Sequence, residues 1–382
     1  LFYRPKISPE NQKLPKIFAI PKLHKNPIKF RYIAGANTSS IKPLQILLHK
    51  ILCFIKIHFQ NYCRISQTNL NKKCYYSVDN TYSAINIIRS PHIKIHTVAT
   101  ADFTTLFTRL PHDLIFKSLS HIIHICYNNS KKTYIRIHNN YINYTDQLHY
   151  NKHNISFDST ELYSIIKTVL NESYVIFAGH IFKQIQGVPM GGNASSDIAD
   201  LTLSAMEHIY SKIPRNTINI IRYVDDILIF NENNFVNKAK SIYGNELELD
   251  ITPNSDNVNF LDINITIRNG IIQTNVYDKT TFFNFKVNKF ASLDSNISDS
   301  IHKNIISSQI ARYAYICSNL QHFIHNCITL STIYYKKGIS NNTLHRIVKN
   351  TLIKNKHLLI KYIYPNAGNI KKLALQIIDH IT

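Results

Sequence analysis

Residues 221–230 read IRYVDDILIF, two adjacent carboxylates set between apolar runs. Like charges in an apolar segment are heavily penalised unless something cationic compensates them. The chain must therefore bend at the aspartates and bring a counter-charge to them. A divalent metal is the economical choice. Neighbouring residues on a strand point to opposite faces, so at a tight bend one carboxylate reaches the metal while the other supports the site. Magnesium takes hard oxygen ligands, usually one or two protein carboxylates, and completes its shell with water and substrate phosphate. A further carboxylate is expected elsewhere, and Asp102, which closes the apolar stretch IKIHTVATAD, is the candidate. Two strands that meet with three aspartates at their ends suit two metal ions in nucleotidyl transfer. There one ion activates the attacking hydroxyl and the other stabilises the leaving pyrophosphate. A hairpin that merely carries Asp in its turn is the alternative reading of YVDD alone.

Charge points the same way. The 382 residues carry 44 Lys+Arg against 23 Asp+Glu, a formal net charge of +21. Such an excess suits a polyanionic partner, because each phosphate neutralised by Lys or Arg releases condensed counterions. A genome rich in A and T, inflating Lys, Asn and Ile throughout, is the competing explanation for charge alone. A hydrophobic share of 44% is enough to bury a core, and the length allows two or three subdomains. No apolar run approaches the roughly 18 to 20 residues that span a bilayer, and no charged start precedes an apolar h-region. The expectation is a soluble, intracellular chain with nucleus and cytoplasm both open and no membrane partner. Methionine occurs only at Met190 and Met206, so the chain reads as a fragment or processed product. Six cysteines form no CxxC pair and read as reduced core residues. The densest His/Cys stretch, CSNLQHFIHNC at 317–327, has no standard zinc spacing and reads as a helix with its sulfurs and rings spread around it.

Five prolines in the first 36 residues favour extended segments. Residues 42–60 give an amphipathic helix, and 93–99 a strand running into Asp102. Pro111 starts a helix whose apolar spacing lasts to 127. The polar, Asn/Tyr-rich stretch 128–156 reads as an insertion or loop. Asp158 and Glu161 make a capping pair for a helix to about 172, and YVIFAGHIFKQ a hairpin turning at Gly179. Residues 195–212 form a helix with Ile198, Leu201, Ala205 and Ile209 on one side. INIIRYVDDILIF makes two short strands with the aspartates at the bend. INITI and IIQTNV make a hairpin, because Asn269-Gly270 supplies the two positive φ angles of a type I′ turn. Beyond about 290 the pattern is helical and basic.

QGVPMGGNASSDIADLTL at 186–203 resembles the Gln-Gly-x-Pro-x-Gly block, with its following Ser and Leu-rich helix, that precedes the double aspartate in reverse transcriptases. TADFTTLFTRLPHDLI resembles their first catalytic block, and YVDD their signature tetrad. PKLHKNPIKFRYIAG, NFLDINI, VYDKTTFFNF, LDSNIS and SQIARYAYICSNLQHF are similar to the Penelope-like group and related mobile-element reverse transcriptases. The likeness covers most of residues 15–340. It departs in two places, since no endonuclease pattern is recognisable in these residues after the thumb and the last 40 residues match no pattern.

The resemblance implies an α+β right-hand polymerase with an antiparallel palm sheet, helices on one of its faces, and an α-helical thumb. Residues 1–95 would be the N-terminal part of the fingers, 96–290 the palm with a fingers insertion near 128–185, and 291–382 a basic thumb and C-terminal extension. Asp102 and Asp225 would be the principal metal ligands, Asp226 the third carboxylate, and the Phe103 carbonyl a ligand of the second ion. Two Mg2+ ions, replaceable by Mn2+, would serve an RNA template, a DNA primer and dNTPs. Phe107 would be the gate against a ribose 2′-OH, and Gln186 and Gly187 would line the nucleotide pocket. Lys22 or Lys25, with Arg31, would contact the triphosphate. Tyr223 would support primer or metal geometry, Asn269-Gly270 would be a primer grip, and Arg109 and His112 would be structural. An RNA-directed RNA polymerase and an inactive RNA-binding remnant are the competing functions. Oligomeric state stays open.

Overall fold

The computed structural model describes residues 13–23, 27–91, 93–139, 141–151, 154–283, 285, 287–363 and 369–381. The chain forms two compact units, Leu1–Ser77 with Ala101–Thr252, and Val78–Thr100 with Pro253–Thr382.

In the first unit, the proline-rich start forms a hairpin of strands Lys16–Lys22 and Lys29–Gly35. The hairpin Tyr174–Phe177/His180–Lys183 continues its sheet, turning through Ala178 and Gly179, both at positive φ. The helix expected over 42–60 runs on to Leu70, because Phe59 and Cys63 keep its apolar face buried until Asn71 ends it in the left-handed region. The Asp158/Glu161 capping box closes in both directions, Glu161 N donating to Asp158 Oδ1 at 2.7 Å and Asp158 N to Glu161 Oε2 at 3.0 Å.

The stretch 128–156 is not a loop. Its first residues complete the helix His112–Ser130, and strands Tyr134–His138, Tyr141–Thr145, Tyr150–Asn151 and Asn154–Phe157 build an antiparallel sheet. Ile135 is fully buried opposite Phe157. Tyrosine and isoleucine are strand formers, and the asparagines between them occupy the outward positions and turns.

A third sheet carries the aspartates. Its order is Ile220–Tyr223, Asp226–Phe230, Val98–Phe103, Leu249–Ile251, with antiparallel pairing within the first and last couples. Helix Ser195–Lys212 packs against helix His112–Ser130 and against helix Phe235–Tyr243, whose Tyr243 ring meets Phe103 edge-on at 5.0 Å. Ile198, Leu201 and Ala205 are buried as expected, but Ile209 is 42% exposed, while Asp200, Ser204 and Glu207 are buried. The helix is submerged by polar residues that share one partner.

In the second unit, the Asn269-Gly270 hairpin forms with strands Ile263–Arg268 and Ile271–Val276, both turn residues at positive φ. Strand Asn257–Phe260 adds to it. Helices Asp299–Ile316, Leu320–Lys336, Asn341–Lys354, Lys356–Tyr362 and Ile370–Asp379 share an apolar core that includes Cys317 and Cys327. The blocks NFLDINI and SQIARYAYI meet there, where Arg312 forms an ion pair with Asp262 through Nε at 3.0 Å and through Nη2. No helix among the described residues is long and apolar enough to cross a membrane.

Candidate active site

Strand Val98–Phe103 buries Val98, Ala99, Ala101 and Phe103, and its alternation turns Asp102 outward between the last two. Asp250 stands directly opposite Asp102 on the antiparallel neighbour. In the other couple, Tyr223 pairs with Asp226, so Val224 and Asp225 are the two central residues of the turn. Val224 sits at φ +52°, a conformation disfavoured for a β-branched residue. Two hydrogen bonds hold the turn: Arg222 Nη1 donates to the Val224 carbonyl at 3.0 Å, and Phe103 N to the Asp225 carbonyl at 3.4 Å.

These elements bring Asp102 and Asp225 to one cavity of about 420 Å³. Lys22, Arg31, Phe103, Phe107 and Tyr223 also line it. Lys22 and Arg31 share a face of the N-terminal hairpin, since Arg31 is opposite Ile20, two residues before Lys22. A bond from Ala34 N to the Met190 carbonyl, 2.7 Å, ties that hairpin to the segment before helix Ser195–Lys212. Asp226 begins the returning strand and is not in the cavity wall. Lys25 lies outside the described residues. Asn269 and Gly270 belong to the other compact unit.

Gln186 and Gly187 do not line the cavity; they clamp its far wall. Gln186 Nε2 donates to the Arg109 carbonyl at 2.6 Å, Gly187 N to Leu110 O at 2.9 Å, and Val188 N to Phe107 O at 2.7 Å. His112 Nε2 lies 2.8 Å from Gly187 O, and Arg109 pairs with Glu248 at 3.0 Å. At Gly187 φ is +76° and a Cβ would stand 2.4 Å from Phe107 O. Gly187→Ala is therefore expected to destabilise the first unit by about 2–3 kcal/mol, through backbone strain and displacement of the Phe107 turn. Urea unfolding measures it, and a change under about 0.5 kcal/mol would show that the close approach relaxes freely.

Charge in the cavity wall is balanced, Lys22 and Arg31 against Asp102 and Asp225, and no His or Cys is among the lining residues. This oxygen-only donor set suits magnesium rather than zinc. Asp102 and Asp225 are the two carboxylates in the cavity wall. The three expected carboxylates do not gather their oxygens within 4.8 Å of one another.

Beneath the hairpin lies a buried network that reading along the chain missed. The guanidinium of Arg222 has no exposed area. It donates to Glu207 Oε1 at 2.5 Å, Glu207 Oε2 at 3.1 Å, Asp200 Oδ1 at 2.6 Å and Ser204 Oγ at 2.8 Å, besides the Val224 carbonyl. Lys56 pairs with Asp200 Oδ2 at 2.8 Å, Ser77 donates to Asp200 Oδ1 at 2.7 Å, and the Tyr243 hydroxyl to Glu207 Oε1 at 2.8 Å. Two cations thus face two carboxylates. Burial by itself would raise the Asp200 carboxyl, but Arg222 and Lys56 outweigh it and hold it below its ordinary value. Burial would lower Arg222, and Glu207 and Asp200 instead raise it. The signal in the sequence was a lone Arg inside INIIRYV, which needs acidic partners, with Asp200 and Glu207 seven residues apart on one helical face.

An antiparallel sheet carrying the aspartates, helices packed on it and a separate helical bundle define an α+β right-hand polymerase fold. Telomerase from Candida albicans, solved with a TWJ fragment of telomeric RNA, superposes with a TM-score of 0.64 at 14% identity, over 97% of this chain and 62% of that one. Apo telomerase from Candida tropicalis aligns at a TM-score of 0.47 and 13% identity, over 98% of this chain and 62% of that one. The RNA-dependent RNA polymerase of a human picobirnavirus aligns at 0.48 and 10%, over 96% and 65%. The chain thus spans less than two thirds of the length of each of these neighbours. No protein-family model matches it, and no curated protein is similar in sequence.

Proposed function

We propose that this chain is an RNA-directed DNA polymerase of a mobile element, of the Penelope-like kind, which extends a DNA primer on an RNA template with dNTPs. One observation carries the proposal: Asp102 and Asp225, 123 positions apart in the chain, open on one cavity with Lys22, Arg31 and Phe107. The reaction is attack of the primer 3′-hydroxyl on the α-phosphorus of a dNTP, releasing pyrophosphate. Asp102 and Asp225 would hold Mg2+, or Mn2+ in its place, with Asp226 and the Phe103 carbonyl adjoining. When bound, the metal supplies charge neutralisation at the transferring phosphate and a more acidic primer hydroxyl. Lys22 and Arg31 would receive the triphosphate, Arg31 through its fork and Lys22 as a point charge. Tyr223, 36% exposed in the cavity wall, would abut the primer end. Residues outside the two carboxylates thus bind and orient the reactants.

Phe107 separates this reading from an RNA-directed RNA polymerase. Phe107 lines the cavity, with its carbonyl held by Val188 N, and in this reading its ring would meet a ribose 2′-OH. Phe107→Val is expected to raise rNTP incorporation relative to dNTP by about 10²-fold, the discrimination that a steric contact of a few kcal/mol provides. Equal use of both sugars by the unaltered chain would favour RNA synthesis instead. The founding test is Mg2+- or Mn2+-dependent dNTP incorporation on poly(rA) with an oligo(dT) primer. A folded chain that binds RNA but incorporates nothing would favour the inactive binder.

A further inference from the structure

We propose that the first unit holds a structural zinc ion between Cys63, Cys74 and His208, away from the polymerase cavity. These three residues come from three segments. Cys63 lies in the last turns of helix Lys42–Leu70, Cys74 in the chain that doubles back after Asn71, and His208 in helix Ser195–Lys212. One ligand atom from each lies within 4.8 Å of the others. Zinc bonds of about 2.3 Å to sulfur and 2.0 Å to nitrogen place ligand atoms some 3.5 Å apart in a tetrahedral shell. The site therefore needs a contraction of at most about 1.3 Å to close.

A second, independent observation points to a ligand. His208 is 2% exposed, and its Nε2 is buried with no hydrogen-bond partner. Its Nδ1 is already engaged, 3.2 Å from His121 Nε2. In the tautomer that donates Nδ1–H to His121, the lone pair of His208 sits on Nε2, the arrangement in which a histidine binds metal while its other nitrogen is fixed by a neighbour. The chemistry of the three groups agrees. Zinc would displace the protons of both thiols, and two thiolates with a neutral imidazole around Zn2+ carry no net charge, which suits an interior position where Cys63 and Cys74 are 1% and 4% exposed. A water molecule would complete the shell. The cluster His49, Cys53 and Asp197 differs, because its His and Asp already satisfy one another at 2.6 Å.

The consequence is mechanical. Glu207, which grips Arg222 under the aspartate turn, is the residue next to His208. Zinc would staple helix Ser195–Lys212 to helix Lys42–Leu70 one residue along from that grip.

The test is metal content of untagged chain purified from zinc-supplemented medium without chelator. One equivalent of zinc per chain is expected, retained by Cys53→Ser and lost from Cys63→Ser/Cys74→Ser. Should that double variant fail to fold, cobalt titration of the chelator-stripped unaltered chain decides. Visible d–d bands with a near-ultraviolet sulfur-to-cobalt transition support the site. A zinc-free chain whose stripped form gives no thiolate–cobalt spectrum overturns the proposal. So does a native Cys63–Cys74 disulfide found by peptide mass mapping.

Discussion

Asp225→Asn lowers dNTP incorporation by about 10³-fold or more while leaving the urea midpoint nearly unchanged; this is the expected result at the centre of the proposed mechanism. The size follows from losing a metal-binding charge beside the transferring phosphate, worth several kcal/mol of transition-state stabilisation. The stability half follows from structure. Asp225 is half exposed at the tip of the turn, and the turn is held through its backbone, by Phe103 N to the Asp225 carbonyl and Arg222 to the Val224 carbonyl. Asn keeps the shape and those bonds. Asp102→Asn should behave alike, since both carboxylates open on the same cavity. Activity within tenfold of the unaltered chain in either variant would remove these two residues from the chemistry.

Arg222→Met acts from below and strikes stability first. Its expected effect is about 3–5 kcal/mol of destabilisation, the range for removing one partner from a buried ionic network. Asp200 keeps Lys56 and Ser77, and Glu207 keeps Tyr243, but neither carboxylate regains a guanidinium. A loss of this size is a large part of the 5–15 kcal/mol that a domain commonly has. The Val224 carbonyl also loses its donor, so a strained turn is freed beside Asp225. Arg222→Lys separates the two contributions. It keeps the charge but offers three donors without the planar fork, so it should recover part of the stability and little of the activity. Urea unfolding and primer extension on the same preparations provide the check. A methionine variant as stable as the unaltered chain would mean that the network is replaceable by apolar packing, as happens when whole buried ion pairs are exchanged.

Much of the chain was legible because its signals are local. Asn269-Gly270, the Asp158/Glu161 capping box and the turn at Gly179 each depend on residues within a few positions, and all three formed at their expected places. The helix 195–212 was bounded by its periodicity. Misreadings came where composition was allowed to stand for pattern. Residues 128–156 looked polar, yet alternating Tyr and Ile made four paired strands across 134–157. Ile209, placed inward by spacing, is exposed, while Asp200 and Glu207 are buried because a strand beyond the helix presents Arg222 to them.

The candidate site divides in the same way. Three aspartates, an aromatic five residues after the first, and a Gln-Gly block are visible in the one-dimensional order, and so is the right-hand fold they suggested. Their convergence is not. That Asp102 and Asp225 share a cavity with Lys22 and Arg31 while Asp226 stands outside its wall depends on strand register. That Gln186 and Gly187 brace the Phe107 turn from behind depends on hydrogen bonds across 77 and more positions. Turns, caps and helical stripes are decided by the few torsions and side chains of one short segment, so the residue order suffices for them. Partners for buried charges and the walls of a cavity are decided by which distant segments pack together. Only the folded chain, with its register and burial in place, selects among the many pairings that one string of residues permits.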